Sequence, residues 1–371
     1  MGKDKFIRIL QVGMSPYYGG TESFIMNQYR KIDREKVQFD FLNVYNEKIA
    51  CQDEIESLGG QIYHLDMARH HGIKTYYKNL DNFFAENATK FSAVHCNFQS
   101  LINTDVLKYA KKYGIKVRIA HAHNSGYGTE PSKKQKLIMA FNKLTLGKYV
   151  TDYFACSSLA AKWMFGRDAV IVKNAIDTEK FLYSENVRED VRKKMRLDGQ
   201  FVVIFVGRLD YQKNPIFMLE IFYELKRIKP EAKLLVVGDG ILKDEMNSKI
   251  KQLNIEESVE MLGSRTDVNH LLQASDVFLL PSKFEGLGIV LIEAQAAGLP
   301  TFTSKDVVPE DVSITNLLNF ISLKEPSLVW AERIADVHII ERTNRFEQIR
   351  KAGFDSTTNI AFLENFYFSI K

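Results

Sequence analysis

Residues 281–300 read PSKFEGLGIVLIEAQAAGLP, and the rest of the chain can be interpreted outward from them. The apolar run directly before them, Val277 to Leu280, predicts a buried strand. After the glycines of the loop, an apolar segment from about Ile289 to Ala297 predicts a helix, which Gly298 and Pro300 end. The stretch therefore predicts a strand, a glycine loop and a buried helix.

Two carboxylates flank this glycine loop. Because the predicted helix is apolar almost all round, Glu293 on it is expected to be buried and to need a partner. Glu285 lies in the loop, where Gly286 and Gly288 leave backbone N–H groups uncovered at a helix N-terminus that suits anions. The pattern predicts a site for a polyol and a phosphate. The alternative is a capped structural helix whose Glu293 side chain is hydrogen-bonded to its neighbours.

Length and composition restrict the class of protein. A chain of 371 residues is long enough for two domains of about 150 residues, each with its own core. No apolar run approaches the roughly 18 residues that a membrane span needs, and the N-terminal apolar part is too short for a signal peptide. We therefore expect a cytoplasmic protein. The cysteines (Cys51, Cys96 and Cys156) are widely spaced, which favours neither a disulfide framework nor a zinc site.

The first half of the chain alternates strands and helices. Residues 6–12, FIRILQV, predict a strand, and the loop after it carries Gly19 and Gly20 before a helix beginning near Thr21. A paired-glycine loop suits the close approach of a phosphate or sugar, but it is equally consistent with a tight turn. Further strands are expected at Gln38–Val44, Gln61–Leu65 and Ala93–Asn97. The alternation predicts a parallel sheet with right-handed crossovers.

A pair of histidines follows the next predicted strand, Lys116 to Ala120. In open α/β sheets ligands bind beyond the carboxyl ends of the strands, so His121 and His123 are expected there. His123 lies nearer the glycine-rich turn and is the better candidate to contact substrate. Two alternatives stay open. One is a metal site, for which no third ligand follows at suitable spacing, and the other is a hydrogen-bonded loop.

The second half begins with FVVIFVGRLDYQKNP, a buried strand followed by a loop with two cations. Arg208 and Lys213 lie between that strand and a helix N-terminus, which predicts a site for a dianion. The alternative is a pair of solvated surface cations. The segment LLVVGDGIL repeats the order of strand and Gly-x-Gly, with Gly238 and Gly240, and is consistent with a nucleotide lying across the strand ends.

Several short motifs carry a resemblance to a known family. They are YYGGTE, AHAHNSG, KNAIDTEKF, GRLDYQKN, VVGDG, LGSRTDV and PSKFEGLGIVLIEAQAAGLP. In this order they resemble the retaining glycosyltransferases of family 4, above all the bacterial members that build capsular or exopolysaccharides. The resemblance runs from about Phe6 to Asp306. One departure is Ala175, where the family commonly has glycine, and it leaves the expected activity unchanged.

The resemblance implies an α/β protein of the GT-B fold, in which two Rossmann-like domains face each other across a cleft. Residues 1–176 would form the N-terminal acceptor-side domain, and residues 177–352 the domain for the nucleotide-sugar donor. Residues 353–371 would form a C-terminal helix that crosses back to the first domain.

The same resemblance implies roles for individual side chains. Glu293 would hold the ribose hydroxyls of a nucleotide, and Glu285 the hydroxyls of the donor sugar. Arg208 and Lys213 would bind the diphosphate, and His123 would lie near the donor sugar and the reacting centre. Further donor-binding residues would be Gly19, Gly20, Gly238, Gly240, Arg265, Gly286, Leu287 and Gly288.

The implied reaction moves a hexosyl unit from a nucleotide diphosphate sugar, with a UDP-sugar as the expected donor, to a glycan or a lipid-linked oligosaccharide. The chain contains no Asp-x-Asp motif, so we expect no metal or other cofactor, and cations with a helix N-terminus would stabilise the leaving group. The alternatives are a sugar-nucleotide epimerase or a phosphorylase-like enzyme of the same fold, although no pyridoxal lysine site is found. A catalytically inactive binding subunit is a third alternative.

Charge placement predicts a further partner. Between Val106 and Val150 there are ten Lys or Arg residues and one acid, Glu130. Leu137, Phe141 and Leu144 recur there at helical spacing beside lysines, as on a helix that lies peripherally on the anionic inner face of a membrane. The alternative is a solvated helix whose apolar stripe is ordinary core. Nucleic acid is not expected as a partner, because the tract has no recognisable reading motif.

Overall fold

The computed structural model describes residues 7–65, 72–127, 130–337 and 342–370, without the side chains of residues 358 and 359. The chain divides into two compact units. The first unit comprises Met1–Ser125, Glu130–Ala175 and Ser356–Lys371, and the second comprises Gly126–Thr129 and Ile176–Asp355.

The first unit contains a seven-stranded sheet in which every described pairing is parallel. Its strands are β1 (Ile7–Val12), β2 (Val37–Asn43), β3 (Ile62–His64), β4 (Ala93–Phe98), β5 (Val117–Ala122), β6 (Asp152–Ala155) and β7 (Val170–Ile171). Its first helices are α1 (Gly20–Lys31), α2 (Gln52–Ser57), α3 (Ile73–Asn87), α4 (Asp105–Lys112), α5 (Lys133–Thr145) and α6 (Ser158–Phe165). Strands β2 and β4 are buried along their whole length, as expected where helices cover both faces of a parallel sheet.

The second unit contains a six-stranded parallel sheet. Its strands are β8 (Phe201–Val206), β9 (Ala232–Val237), β10 (Val259–Gly263), β11 (Val277–Leu280), β12 (Thr301–Ser304) and β13 (Leu318–Ile321). Its helices are α7 (Glu185–Met195), α8 (Pro215–Ile228), α9 (Lys243–Gln252), α10 (Val268–Ala274), α11 (Ile289–Ala296), α12 (Ser327–Ala335) and α13 (Phe346–Lys351). The predicted strand, loop and helix around residues 281–300 are thus β11, its loop and α11.

The last helix, α14 (Ser356–Phe368), returns to the first unit. Leu363 and Tyr367 are buried in the core of that unit, where the Tyr367 ring meets Phe39 edge-on at 5.6 Å between centroids. The expected return of the C-terminal helix is therefore confirmed. The helix begins at Ser356 rather than at residue 353, because Gly353 has a left-handed φ of 76° in the turn after α13.

Strand order places the candidate site in each unit. The orders are β3-β2-β1-β4-β5-β6-β7 and β10-β9-β8-β11-β12-β13, so the direction reverses between β1 and β4 and again between β8 and β11. At such a reversal the loops beyond the carboxyl ends diverge and leave a crevice for ligand. The loops that carry the predicted site residues begin at these strands or beside them. Among the described residues, no helix is both long and apolar enough to span a bilayer.

Candidate active site

Hydrogen bonds join the loops after β8 and β11, the two strands at the reversal in the second unit. The backbone N–H of Lys283 donates to the Gln212 carbonyl at 2.8 Å. The side-chain amide of Gln212 donates to the Phe284 carbonyl at 3.2 Å. The loop that carries the predicted cations is therefore held against the loop that carries Glu285.

Lys213 and Glu285 form a buried ion pair with each other. The Lys213 Nζ lies 2.7 Å from Glu285 Oε1, and their side chains are 13% and 4% exposed. The Ser282 hydroxyl donates to the same oxygen at 2.6 Å. Two residues that were expected to bind different parts of a donor are thus in direct contact. The alternative of solvated surface cations is wrong for Lys213.

Arg208 differs from Lys213 because its side chain is 58% exposed. Its guanidinium lies 3.2 Å from an oxygen of Asp210 and 3.2 Å from the side-chain oxygen of Gln212. Both contacts come from the same loop and steady the side chain without burying it. Arg208 can therefore contact an anion in solvent at little desolvation cost.

The N-terminus of α11 presents free backbone donors. Gly288 is the N-cap residue, with a left-handed φ of 83° and no capping side chain. Within the described part of the chain, the N–H groups of Leu287 and Gly288 meet no acceptor. Gly286 is buried beside them in the same loop. Uncovered N–H groups at a helix N-terminus favour an anion, as the sequence predicts.

Glu293 projects from the second turn of α11, and its side chain is partly buried. Its carboxylate has no hydrogen-bond or ion-pair partner among the residues that the structure describes. Burial raises its pKa to about 7. The alternative of a structural carboxylate bonded to its neighbours does not fit, and the unpaired acceptor is available for hydroxyl groups.

Close packing of loops explains the two glycines after β9. A Cβ on Gly238, whose φ is 135°, would lie 1.9 Å from the Gly207 oxygen. A Cβ on Gly240 would lie 2.5 Å from the Leu209 oxygen. These positions require glycine for packing inside the unit, whether or not a nucleotide approaches them.

Arg265 follows β10, the edge strand of the second sheet. Its guanidinium forms a bidentate pair with Asp267, at 2.8 and 2.7 Å, and the two side chains are 43% and 36% exposed. The described contacts do not join Arg265 to the set around Lys213 and Glu285. Its donor-binding role stays a prediction.

In the first unit, Glu22 organises the paired-glycine loop. Its carboxylate accepts from the backbone N–H of Ser15 at 2.9 Å and from that of Gly19 at 3.1 Å. Gly19 is thereby fixed as the N-cap of α1. A Cβ on Gly20 would meet nothing within 4 Å, so packing does not require glycine there. The donor-binding role of Gly20 stays a prediction.

His123 lies just beyond the carboxyl end of β5 and is buried. Its Nε2 is 2.9 Å from the side-chain oxygen of Asn97, whereas its Nδ1 is buried without a partner among the described residues. Burial lowers the pKa of His123 to about 3, which keeps the imidazole neutral. The hydrogen-bonded-loop alternative therefore accounts for only one of its two nitrogens. The described residues contain no cluster of three or more potential metal ligands.

Sequence reasoning missed three side chains of this arrangement. Gln212 and Ser282 lie inside motifs that the resemblance uses, and short polar side chains next to predicted site residues were the available signal. Glu22 stands three residues after Gly19, the spacing of a capping box.

Comparison with known proteins identifies the family. The family described as "Glycosyl transferases group 1" matches residues 187–342. The putative glycosyltransferase EpsF of Bacillus subtilis (strain 168) is 33% identical over 371 aligned residues, which cover 97% of this chain and 96% of EpsF. The chain belongs to the group 1 glycosyltransferases.

Two further comparisons agree. UDP-Gal:alpha-D-GlcNAc-diphosphoundecaprenol alpha-1,3-galactosyltransferase of Escherichia coli is 24% identical to this chain. The aligned region covers 80% of this chain and 79% of the E. coli enzyme. Anabaena HepE, solved in complex with UDP and glucose, superimposes with a TM-score of 0.72 at 16% identity, over 98% of this chain and 96% of HepE. At that identity the likeness concerns the fold alone, and it confirms the GT-B class with two Rossmann-like units.

Proposed function

We propose that this chain transfers a hexosyl unit from a UDP-sugar to a glycan or a lipid-linked oligosaccharide, in the synthesis of a capsule or exopolysaccharide. The observation that carries the proposal is the hydrogen-bonded pair of loops after β8 and β11. Together these loops present the exposed cation of Arg208, the buried ion pair of Lys213 and Glu285, and the free N–H groups at the start of α11. Such a set suits a diphosphate next to sugar hydroxyls. The E. coli relative, named for UDP-Gal and a diphosphoundecaprenol-linked acceptor, supports these substrate classes.

In the proposed reaction, the bond from the anomeric carbon to the diphosphate oxygen breaks, and a bond to the acceptor oxygen forms. The guanidinium of Arg208, the ammonium of Lys213 and the N-terminus of α11 stabilise the charge that develops on the leaving nucleoside diphosphate, without a metal ion. Glu285 is held by Lys213 and Ser282, which suits hydroxyl recognition better than attack on carbon. We therefore assign retention by same-face attack, in which the departing phosphate oxygen takes the acceptor's proton.

A transfer assay tests the proposal. The chain is incubated with UDP-glucose, UDP-galactose or UDP-N-acetylglucosamine and an undecaprenyl-diphosphate-linked sugar, and release of UDP is followed. We expect acceptor-dependent release by one donor, a product that keeps the anomeric configuration by NMR, and full activity in EDTA. Loss of activity in EDTA contradicts the metal-free mechanism, whereas an inverted product contradicts retention.

The same assay separates the alternatives. An epimerase interconverts sugar nucleotides without an acceptor, and a binding subunit shows a thermal shift with UDP but no turnover with any donor. Either result would replace the proposed transfer.

The surface of α5 supports membrane docking as part of this function. Leu137, Phe141 and Leu144 are 72%, 62% and 85% exposed, whereas Met139 and Asn142 form the buried side of the helix. The alternative that this apolar stripe is ordinary core is therefore wrong. Lys133 and Lys148, both exposed, flank the stripe along the chain.

The proposed partner of this surface is anionic phospholipid. The apolar stripe complements the acyl boundary of the membrane, and the flanking cations complement the anionic headgroups. Each cation near such a surface contributes roughly 1 kcal/mol, so a few lysines are enough for reversible docking. A lipid-linked acceptor would then lie at the surface that the protein contacts.

Cosedimentation with liposomes tests the docking. We expect binding to vesicles that contain phosphatidylglycerol, weaker binding in added salt, and loss of binding when Lys133, Lys134 and Lys136 are changed to Glu. The charge-matched control changes Lys193, Lys194 and Lys251, three exposed lysines of the second unit, to Glu. Equal binding by the two triple variants would end the docking proposal.

A further inference from the structure

A chain of three buried side chains links α14 to the carboxyl end of β5. The Tyr367 hydroxyl lies 2.7 Å from Nδ1 of His95, and Nε2 of His95 lies 3.0 Å from Nδ1 of His121. All three residues are at most 1% exposed. We call Tyr367, His95 and His121 the histidine chain. It ends beside His123, whose ring centroid is 4.0 Å from that of His121.

The hydrogen-bond partners fix the direction of this chain. The Tyr367 hydroxyl accepts from the side-chain amide of Gln11 at 3.5 Å, so its own proton needs an acceptor, and His95 Nδ1 is the acceptor within reach. A neutral His95 then carries its proton on Nε2 and donates it to His121. His121 consequently carries its proton on Nε2 as well. Burial lowers the pKa of both histidines, which keeps them neutral.

A second set of bonds fixes the tautomer of His123. The Asn97 amide nitrogen donates to Gln11 Oε1 at 3.1 Å and to the Val12 carbonyl at 3.2 Å, and a carbonyl only accepts. The Asn97 side-chain oxygen therefore faces His123 Nε2 at 2.9 Å and accepts its proton. His123 is left with a bare Nδ1.

Two unused groups remain, the donor on His121 and the acceptor on His123, and the centroids of their rings lie 4.0 Å apart. Nε2 of His121 and Nδ1 of His123 are buried and have no partner in the described part of the chain. One hydroxyl group complements both, because it accepts from the first and donates to the second. Leaving both unpaired is costly, which favours an occupant.

We propose that Tyr367 is a positioning residue, which acts through His95 to hold His121 as a hydrogen-bond donor, and that His121 and His123 together bind one hydroxyl group. The side chain of Tyr367 in α14 would thus set the hydrogen-bonding state of the histidines at the carboxyl end of β5. The effect on turnover rests on the proposed glycosyl transfer, whereas the proton positions do not.

Nitrogen NMR of the full chain with ¹⁵N-labelled histidine tests the proton positions at pH 7. We expect His95, His121 and His123 to be neutral with the proton on Nε2. In Tyr367→Phe the hydroxyl donor is gone, so His95 and His121 should populate the opposite tautomer. A wild-type His121 protonated on Nδ1, or a His121 tautomer indifferent to Tyr367→Phe, overturns the proposal.

Tyr29→Phe is the matched control. Tyr29 is also fully buried in the first unit and packs on Phe39, the ring that Tyr367 meets from another side. Its hydroxyl donates to the Leu58 carbonyl at 3.2 Å and accepts from Gln38, not from a histidine. It should leave all three histidine spectra unchanged. A change of tautomer in this control would show that any lost buried hydroxyl has the same effect, and the proposal would fail.

The source of the hydroxyl is tested by adding UDP and then UDP-glucose. A shift of His123 Nδ1 with UDP-glucose but not with UDP assigns the hydroxyl to the sugar. Spectra that are the same without ligand, with UDP and with UDP-glucose overturn the binding of a sugar hydroxyl by this pair.

In the transfer assay, Tyr367→Phe should lower kcat about tenfold with little change in the KM for donor, the effect of losing one oriented hydrogen bond. The control variant Tyr29→Phe should leave kcat unchanged. Equal kcat values in the two variants overturn the positioning role. Absence of activity in the wild type overturns the proposed function instead, and the NMR result still decides the tautomers.

Discussion

The two units position polar side chains in opposite ways. The second unit uses charge, with Lys213 and Glu285 buried as an ion pair and Arg208 exposed beside them. At the end of β5 the first unit uses neutral groups, since burial lowers the pKa of His123 to about 3, its Nε2 faces the Asn97 side-chain oxygen, and its ring lies beside that of His121. The difference matches the two halves of the proposed reaction, because a departing diphosphate needs cations and a sugar hydroxyl needs oriented neutral partners.

The largest expected effect is that of Lys213→Ala. If the ammonium stabilises the leaving group, turnover should fall about 100-fold or more. The variant should also lose about 3 to 5 kcal/mol of unfolding free energy, because it leaves the Glu285 carboxylate charged and buried without the neutralising ammonium of Lys213. The measurements are steady-state kinetics and urea unfolding.

Two further variants separate the catalytic effect from the structural one. Adding Glu285→Gln to Lys213→Ala should restore most of the stability, whereas the activity should stay low. Lys249→Ala, which removes the cation of the less buried pair with Glu220, should change neither by much. A Lys213→Ala variant with a raised KM and an unchanged kcat would contradict the leaving-group role.

Much of the fold was predictable from local patterns. Apolar runs such as Val277–Leu280 and the glycines after them mark strand, loop and helix without any long-range information. The contact between Lys213 and Glu285 was not predictable in this way, because no periodicity connects residues so distant in the chain. Tyr367 lies in a tail without a motif, so its place in a hydrogen-bonded chain depends on the packing of α14.

Local sequence was also insufficient to interpret Gly238 and Phe141. A strand followed by Gly-x-Gly is consistent with a nucleotide near Gly238, but the packing of Gly238 against the Gly207 oxygen is a sufficient reason for glycine. For α5, the spacing of Phe141 was compatible with core or surface, and only the fold shows that its stripe faces outward. Local sequence predicts that a helix is amphipathic but does not say which face is covered.

Glu293→Gln should have the next largest effect. A carboxylate that accepts two ribose hydroxyls makes charge-assisted bonds, so the variant should weaken UDP binding by about 1.5 to 3 kcal/mol at pH 8. Because burial raises the pKa of Glu293 to about 7, protonation below that pH removes the charge, and the wild type should bind more weakly at pH 6 than at pH 8.

Calorimetric titration of UDP at several pH values measures both effects. The variant also serves as the control for ionisation of the nucleotide's own phosphate, since that contribution is common to both proteins. If the pH dependence is the same in the variant, Glu293 does not bind ribose as a carboxylate.

The smallest expected effect concerns acid stability, and it separates the neutral unit from the charged one. Burial lowers the pKa of His95 to about 3, below the roughly 6.5 of an unfolded histidine. Between these values the unfolded chain binds the extra proton, so unfolding free energy falls as pH falls, by about 1.4 kcal/mol per pH unit for each such histidine. His95→Gln, whose amide can still form hydrogen bonds, should reduce this slope by about 1.4 kcal/mol per pH unit, the contribution of one proton.

Native-state hydrogen exchange of β4 and β5 from pH 7 to 5 measures the slope, with β8 and β9 as the reference in the second unit. His270→Gln is the control for replacing a histidine elsewhere, because that residue lies in α10 of the second unit and not in β4 or β5. Equal slopes in the wild type and His95→Gln would show that the buried imidazole does not resist protonation in the folded state.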